Sequence, residues 1–253
     1  MKLTFKNDTF KILQIADTQE GRKVSPDTLA LINAALDREE PDLVVYSGDQ
    51  IWGRGFHGDV NQVRGVLKEL TAPVVERHLP FAICFGNHDR QVGLDNRAQF
   101  EIYKEIPGFI GEDTPGVDGV GNCVLEIADG DRPGYLLYLI DSHSSLKVGY
   151  DHVHQNQIDW YRGVRDSYEK QYGHTIPSVV IQHIPVCEVF DLLTQVKKST
   201  KGAVQGFRTH AKEWFVLNRK RVDKAGFMKE SAVFLSNTPC SLNASKASVS
   251  RTS

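Results

Sequence analysis

Residues 81–89 read Phe-Ala-Ile-Cys-Phe-Gly-Asn-His-Asp, and this stretch decides the fold that we predict for the chain. Five apolar residues in a row are typical of a short buried β-strand, and Gly86 marks its end. Three polar residues follow at once, Asn87, His88 and Asp89. Ligands of open α/β sheets collect at the carboxyl ends of strands, so the stretch predicts a functional site directly after this strand.

The same order of an apolar run followed by a polar group occurs at three other places in the chain. The runs and their polar groups are 10–15 with Asp17, 43–46 with Asp49, and 179–181 with Gln182 and His183. Ser25-Pro26-Asp27 is typical of a helix start, and helical periodicity extends over about 60–76. Strands that alternate with helices indicate β-α-β units, so the four strand ends are expected to converge on one crevice.

The rest of the chain predicts a mixed sheet, a further helix and a polar tail. Branched runs at 120–127 and 135–140, separated by a turn at 129–134, indicate an antiparallel hairpin. Apolar residues from Ile158 to Tyr172 recur at helical spacing, and the strand at 179–181 is expected to be buried. We predict one domain over residues 1–230, followed by a tail at 231–253 with seven serines and no acidic residue, either disordered or altered.

Composition excludes several classes of protein. Thirty basic and thirty-two acidic residues give a formal charge of -2, which disfavours nucleic acid as a partner. The four cysteines form no C-x-x-C pair, which disfavours a zinc ribbon or a redox dithiol. No stretch approaches the roughly 18 apolar residues of a membrane span, and the start lacks a signal peptide. We therefore predict a cytoplasmic protein without membrane contact, whose oligomeric state the sequence leaves open.

The polar motifs at the four strand ends carry a family resemblance. In order they are Asp17-Thr18-Gln19, Gly48-Asp49, Gly86-Asn87-His88-Asp89 and Gln182-His183. Over about residues 10–230 the chain resembles the calcineurin-like metallophosphoesterases, a superfamily that includes the purple acid phosphatases. The resemblance implies a layered α/β/β/α sandwich with mixed β-sheets. It also implies hydrolysis of phosphomonoesters or phosphodiesters, on small molecules or proteins, by a metal-activated water.

The resemblance further implies two divalent metal ions, which could be Mn²⁺, Fe²⁺, Zn²⁺ or Mg²⁺. The implied ligands are Asp17 for the first metal, Asp49 as the bridge, and Asn87 and His183 for the second metal. Carboxylate, amide and imidazole groups are all suitable donors for such ions. His88 would stabilise the phosphoryl oxygens or protonate the leaving alcohol, with Asp89 orienting its ring.

Two departures from the family pattern weaken this metal site. Gln19 stands where the family has a ligand histidine; its carbonyl oxygen either coordinates a hard ion or supports the site from outside the ligand shell. No G-H-x-H motif follows His183, and His210 is the only histidine further along. We expect each metal to lack one protein ligand, and the carboxyl terminus to be truncated or altered.

Two alternatives to a working enzyme follow from these observations. One is a catalytically impaired or truncated relative that binds metal or phosphate weakly without turnover. The other is a nuclease of the same superfamily, which would need a basic groove that the charge balance disfavours.

Other polar residues have weaker assignments. The H-x-H pair of His152 and His154 precedes a helix and is predicted to be a solvated helix entry, while His143 is predicted to be structural. The glycine-rich segment 52–57 is either a loop over the pocket, with Arg54 contacting a substrate phosphate, or an ordinary surface loop.

Overall fold

The computed structural model of the chain describes residues 2–53, 55–147, 149–206 and 210–222. The chain divides into two units, Met1–Pro185 and Val186–Ser253. The predicted phosphate contact of Arg54 and the predicted tail at 231–253 both lie outside the described residues. A single domain over residues 1–230 stays a prediction. None of the described helices combines the length and the apolar character that crossing a membrane requires.

The first unit contains both α-helices and β-strands. Its strands are β1 Leu3–Thr4, β2 Ile12–Ile15, β3 Leu43–Ser47, β4 Phe81–Cys84, β5 Cys123–Asp129, β6 Arg132–Leu139 and β7 Ser178–Ile181. Its α-helices are α1 Pro26–Glu39, α2 Val60–Glu76, α3 Asn96–Lys104 and α4 Gln155–Tyr172. The start of α1 confirms the sequence prediction, because the side chain of Ser25 accepts a hydrogen bond from the backbone of Asp27.

Strands β2, β3 and β4 form a parallel sheet in that order. Ile15 lies beside Tyr46, and Ser47 lies beside Cys84, so the three carboxyl ends meet at one edge. Parallel strands joined by helices produce this alignment, and it brings the polar residues after each strand together.

The second sheet of this unit is mixed, with the order β1-β5-β6-β7. Only the β5–β6 pair is antiparallel. Its turn is tighter than the predicted 129–134, because β5 reaches Asp129 and β6 already begins at Arg132. A register shift between Ile127 and Ala128 accompanies this pairing. Such an irregularity accommodates Pro133, which has no N–H for the ladder.

The core confirms the layered α/β/β/α architecture. Alternate residues of β3 and β4 face opposite sides: Val44 and Ile83 pack with the side chains of α1, α2 and α3. Val45 and Ala82 pack against the mixed sheet. The far side of that sheet is covered by α4, whose Trp160 and neighbouring apolar residues contact β6. Because successive side chains of a strand point to opposite faces, each sheet has apolar side chains on both of its faces.

Strand β7 differs from the prediction of a buried strand. Val179 and Val180 are each 39% exposed, and only Ile181 is buried. Within the described residues, β7 is an edge strand that pairs with β6 alone. Edge position leaves its first three residues accessible, which an apolar run by itself does not reveal.

The second unit contains a short 3₁₀ helix and a small antiparallel sheet. The helix spans Cys187–Leu192, and the strands are β8 Leu193–Val196, β9 Val204–Gln205 and β10 Trp214–Leu217. The sheet order is β8-β10-β9.

Candidate metal centre

The loops that follow β2 and β3 are bonded to each other through their backbones. The N–H of Asp17 donates to the carbonyl of Gly48 at 3.0 Å, and the N–H of Gln19 donates to the carbonyl of Asp49 at 2.9 Å. These bonds continue the parallel alignment of the strands beyond the sheet edge. Asp17 and Asp49 are therefore held side by side by the main chain.

Asp17 and Asp49 at this edge converge with His183, which follows β7 of the mixed sheet. Each offers one carboxylate oxygen or ring nitrogen, and these atoms all lie within 4.8 Å of one another. The closest approach described is 3.4 Å, between Nε2 of His183 and Oδ2 of Asp49. Asp49 is buried, His183 is partly buried and Asp17 is exposed, so the group opens toward solvent on the Asp17 side.

The imidazole of His183 is oriented for ligation through one nitrogen. Its Nδ1 lies 3.1 Å from the carbonyl oxygen of Ser47, which can only accept, so Nδ1 carries the proton. The other ring nitrogen, Nε2, faces Asp49 and is the atom that would bind a cation. A backbone carbonyl that fixes the tautomer of a histidine is a common support for metal ligation. Gly48 permits this approach, because a Cβ there would lie 2.4 Å from Nδ1 of His183.

Charge interactions match this arrangement. Burial acts against the charged form of His183, but its contacts with Asp49 and Asp17 outweigh burial and raise its pKa. Burial likewise acts to raise the pKa of Asp49, but His183 and the backbone N–H of His88 outweigh it and lower that pKa. Asp49 is thus ionised in a buried position, as a metal-bridging carboxylate needs to be.

The loop after β4 wraps closely around Asp49. A Cβ at Gly86 would lie 2.2 Å from Oδ1 of Asp49, so only glycine fits there. The N–H of His88 donates to the same oxygen at 2.8 Å. Asn87 is 7% exposed, and its carbonyl accepts a hydrogen bond from the hydroxyl of Ser144. Asn87 therefore lies at the same edge as Asp49.

His88 borders the site without touching the carboxylate through its ring. Its Nε2 is 3.9 Å from Oδ2 of Asp49, and its Nδ1 is 2.9 Å from Oε1 of Gln91. The ring of Trp52 lies against it, with centroids 5.3 Å apart. Trp52 thus packs on the ring of His88, while Phe56 is buried in the core and His57 is exposed. A role of residues 52–57 as a loop over the pocket stays a prediction.

Asp89 supports the backbone and does not orient His88, so that part of the prediction is wrong. Its carboxylate accepts hydrogen bonds from the backbone N–H groups of Asp49, Ile51 and Gly86 at 2.9, 3.1 and 2.7 Å. Gln91 takes the predicted position beside the His88 ring. Burial raises the pKa of Asp89 to about 6, against the effect of these three donors. The G-N-H-D motif gives no indication of such long-range backbone contacts.

Gln19 approaches Asp49 through its amide nitrogen, which is 3.5 Å from Oδ2. Coordination of an ion by its carbonyl oxygen stays a prediction. Asp17, Gln19 and Asp49 all have positive φ angles, 56°, 47° and 54°. Non-glycine residues rarely adopt this conformation, and it concentrates at functional sites where surrounding contacts enforce it.

Other histidines make contacts of their own. His210, the one candidate from beyond His183, contacts Glu213 and the aromatic rings of Phe190 and Phe215 within the second unit. His143 and His154 form a separate group with Asp151. No local sequence pattern indicates this group, because its members lie on two loops whose contact depends on how α4 packs.

Comparison with known proteins agrees with this architecture. Residues 10–219 match the family described as calcineurin-like phosphoesterase. An uncharacterized protein of Schizosaccharomyces pombe is 30% identical over 73% of this chain and 39% of its own length. Phosphatase DCR2 of Saccharomyces cerevisiae is 29% identical over 78% of this chain and 38% of its own length. A probable inactive purple acid phosphatase 14 of Arabidopsis thaliana is 28% identical over 74% and 56%.

Among solved structures, a dimetal phosphatase from Danio rerio has a TM-score of 0.49 at 14% identity, covering 70% of each chain. The chain spans about two fifths to three fifths of the length of the three sequence relatives. Because the family match covers most of its residues, the chain belongs to the calcineurin-like phosphoesterases.

Proposed function

We propose that this chain is a metal-dependent phosphohydrolase that cleaves phosphomonoesters or phosphodiesters. The observation that carries the proposal is the convergence of Asp17 and Asp49, at the carboxyl edge of the parallel sheet, with His183 after β7, so that one ligand atom of each lies within 4.8 Å of the others. Family membership supports the reaction class, and the open side of the site supports access by a phosphoester substrate. The physiological substrate would be set by loops around the edge.

The donor set of this edge fits divalent cations. Asp49 would contribute both carboxylate oxygens, His183 its Nε2, Asp17 a carboxylate oxygen, and Asn87 and Gln19 amide oxygens. We infer two ions, of Mn²⁺, Fe²⁺, Zn²⁺ or Mg²⁺, held by these nitrogen and oxygen donors together with water. Bound divalent cations supply charge neutralisation for the phosphoryl group and an acidified water as nucleophile.

The protein's own groups then orient the substrate and move protons. His88 stands at the border of the site, with its Nε2 facing Asp49 and its ring held by Gln91 and Trp52. From there its ring would donate a hydrogen bond to a phosphoryl oxygen or a proton to the departing alcohol. Asp89 keeps the loops of Asp49 and Gly86 together through their backbone N–H groups.

A second candidate function is that of an impaired relative that binds metal or phosphate weakly. Two observations favour it: the 253 residues contain no G-H-x-H motif, and a relative of this chain is named as a probable inactive phosphatase. On this alternative the same side chains converge, but the ions have too few ligands to be retained.

Metal content and turnover measured together separate the two functions. The protein is stripped with chelator, reloaded with each of the four cations, and assayed with p-nitrophenyl phosphate and bis-p-nitrophenyl phosphate. The hydrolase is supported if the wild type binds metal and turns over substrate, and if Asp49→Asn strongly reduces both. His57→Asn is the matched control, because His57 is exposed and outside the converging group. Turnover that is absent with every cation would reject the hydrolase in favour of the impaired relative.

A further inference from the structure

A second group of metal-binding side chains lies apart from the candidate metal centre. His143, after β6, and Asp151 and His154, before α4, each offer one ligand atom within 4.8 Å of the others. The rings of His143 and His154 are stacked, with centroids 3.9 Å apart and an interplanar angle of 18°. All three residues are partly buried. Because the lone pair of an imidazole nitrogen lies in the plane of its ring, a shared ion would require the two stacked rings to turn toward it.

The tautomer of His143 follows from a buried amide. Nε2 of Gln157 donates to Oδ1 of Asn122 at 2.9 Å and to the carbonyl of Asp141 at 2.7 Å. The other amide atom of Gln157, Oε1, is therefore an acceptor, and it also accepts from the backbone N–H of His154 at 2.7 Å. Nε2 of His143 lies 2.9 Å from this oxygen and must carry the proton. Its Nδ1 keeps a free lone pair for a ligand.

A carboxylate orients the second imidazole in the same manner. Nδ1 of His154 is 2.9 Å from Oδ2 of Asp118, and an ionised carboxylate only accepts. Nε2 of His154 faces Oδ1 of Asp151 at 3.4 Å. Metal-ligating histidines typically donate their other N–H to a carboxylate or to another acceptor, which fixes the ring and makes it more basic. Both histidines of this group have such a partner.

A neighbouring nitrogen adds to this set of donors. Nδ1 of His152 is buried and lies 3.3 Å from Oδ1 of Asp151, within ion-pair distance but without hydrogen-bond geometry. A buried polar atom that makes no hydrogen bond carries a free-energy cost, which a bound ion would relieve.

We propose that His143 Nδ1, His154 Nε2 and a carboxylate oxygen of Asp151 bind one divalent cation of the late first transition row. Two nitrogens and one oxygen suit Zn²⁺ in tetrahedral geometry, with a fourth position for water or His152. The site is distinct from Asp17, Asp49 and His183 and does not depend on the proposed hydrolase activity.

The site would support the loop next to the candidate metal centre. His143 lies between Ser142, whose hydroxyl accepts from the N–H of Ile184, and Ser144, whose hydroxyl donates to the carbonyl of Asn87. An ion held by His143 and His154 would fasten this loop to the start of α4. Its role is therefore expected to be structural support of residues 142–144.

Zinc stoichiometry after equilibrium dialysis tests the proposal. His143→Asn and Asp151→Asn should each bind one zinc ion fewer per chain than the wild type. Asn suits position 143, where φ is 64°, because Asn tolerates the left-handed region. His78→Asn is the matched control, since His78 is exposed and also has a positive φ, 53°. Equal zinc counts in all four proteins would overturn the proposal.

The same comparison in an Asp49→Asn chain removes the contribution of the first site. The double variant Asp49→Asn/His143→Asn should bind one zinc ion fewer per chain than Asp49→Asn alone. This difference does not depend on turnover, so failure of the proposed hydrolase would leave it unchanged, whereas failure of this site would abolish it. Long-range ¹H–¹⁵N spectra of the histidine rings supply a test on the unsubstituted protein. Zinc should shift Nδ1 of His143 and Nε2 of His154, and unchanged signals at saturating zinc would overturn the proposal.

Discussion

Replacing Gly86 by alanine should disturb the candidate metal centre without removing any ligand. The added Cβ would lie 2.2 Å from Oδ1 and 2.4 Å from the backbone N of Asp49, where ordinary contact begins at 3.4 Å. Asp49 must therefore shift by about 1 Å, a displacement that can reduce turnover about 10²-fold. Its N–H is bonded to Asp89 and its Oδ1 to the N–H of His88, so both hydrogen bonds weaken as it moves.

The loss of stability can be estimated from the same contacts. Overpacking typically costs about 1–3 kcal/mol, and each weakened hydrogen bond up to about 1 kcal/mol. We expect Gly86→Ala to lower the free energy of unfolding by about 2–4 kcal/mol in urea titrations. Titration with Mn²⁺ should show affinity reduced by about 10–100-fold, since the carboxylate loses its orientation.

Gly65→Ala is the control for that substitution. Gly65 lies inside α2, and no atom lies within 4 Å of the position that an added methyl group would take, so alanine should stabilise the helix by about 0.5–1 kcal/mol. If Gly86→Ala matched the wild type in stability, Mn²⁺ affinity and turnover, the close packing of Gly86 on Asp49 would not be what holds the carboxylate.

Three further predictions concern single side chains. His88→Ala should keep its metal while turnover falls about 10²–10⁴-fold, and an unchanged rate would remove His88 from the reaction. Asp89→Ala leaves three buried N–H groups without their acceptor and should cost about 3 kcal/mol or more in urea unfolding, whereas a wild-type midpoint would contradict this role. Burial acts to raise the pKa of Asp42, but Lys6 and the N–H of Lys11 outweigh it and lower that pKa. The wild type should therefore be more stable than Asp42→Asn, with the full difference above about pH 4 and its loss as the pH falls through the lowered pKa. Thermal unfolding measured against pH tests this, and a difference in midpoint that stays constant down to acid pH would refute it.

Local sequence patterns predicted the parts of the fold that depend on neighbouring residues. An apolar run followed by a polar group marked the ends of β2, β3, β4 and β7, and parallel strands bring such ends together. This is why the convergence of Asp17 and Asp49 could be predicted, whereas His183 reaches them from β7 of the mixed sheet, which packs against β3 and β4. The exposure of Val179 could not be predicted, because an apolar run is the same whether a strand is central or at an edge.

Contacts between distant segments were beyond the reach of these patterns. Asp89 lies next to His88 in sequence, but its three hydrogen bonds go to backbone groups on two loops. His143 was interpreted as structural and His154 as part of a helix entry. Their stacking depends on Gln157, a buried residue of α4 whose partners belong to other segments.

The backbone bonds around Asp49 indicate how much of the site depends on metal. Asp17 and Gln19 bond to the main chain of residues 48 and 49, and Asp89 accepts from the N–H of Asp49. These main-chain contacts do not use the side-chain atoms of Asp17, Gln19 and Asp49 that would bind a metal. One further bond does use such an atom, because the N–H of His88 donates to Oδ1 of Asp49. A site with fewer protein ligands would therefore bind metal more weakly, but its remaining donor side chains would stay close together. It follows that chelation should release metal while the positive φ angles of Asp17, Gln19 and Asp49 persist, because protein contacts enforce them.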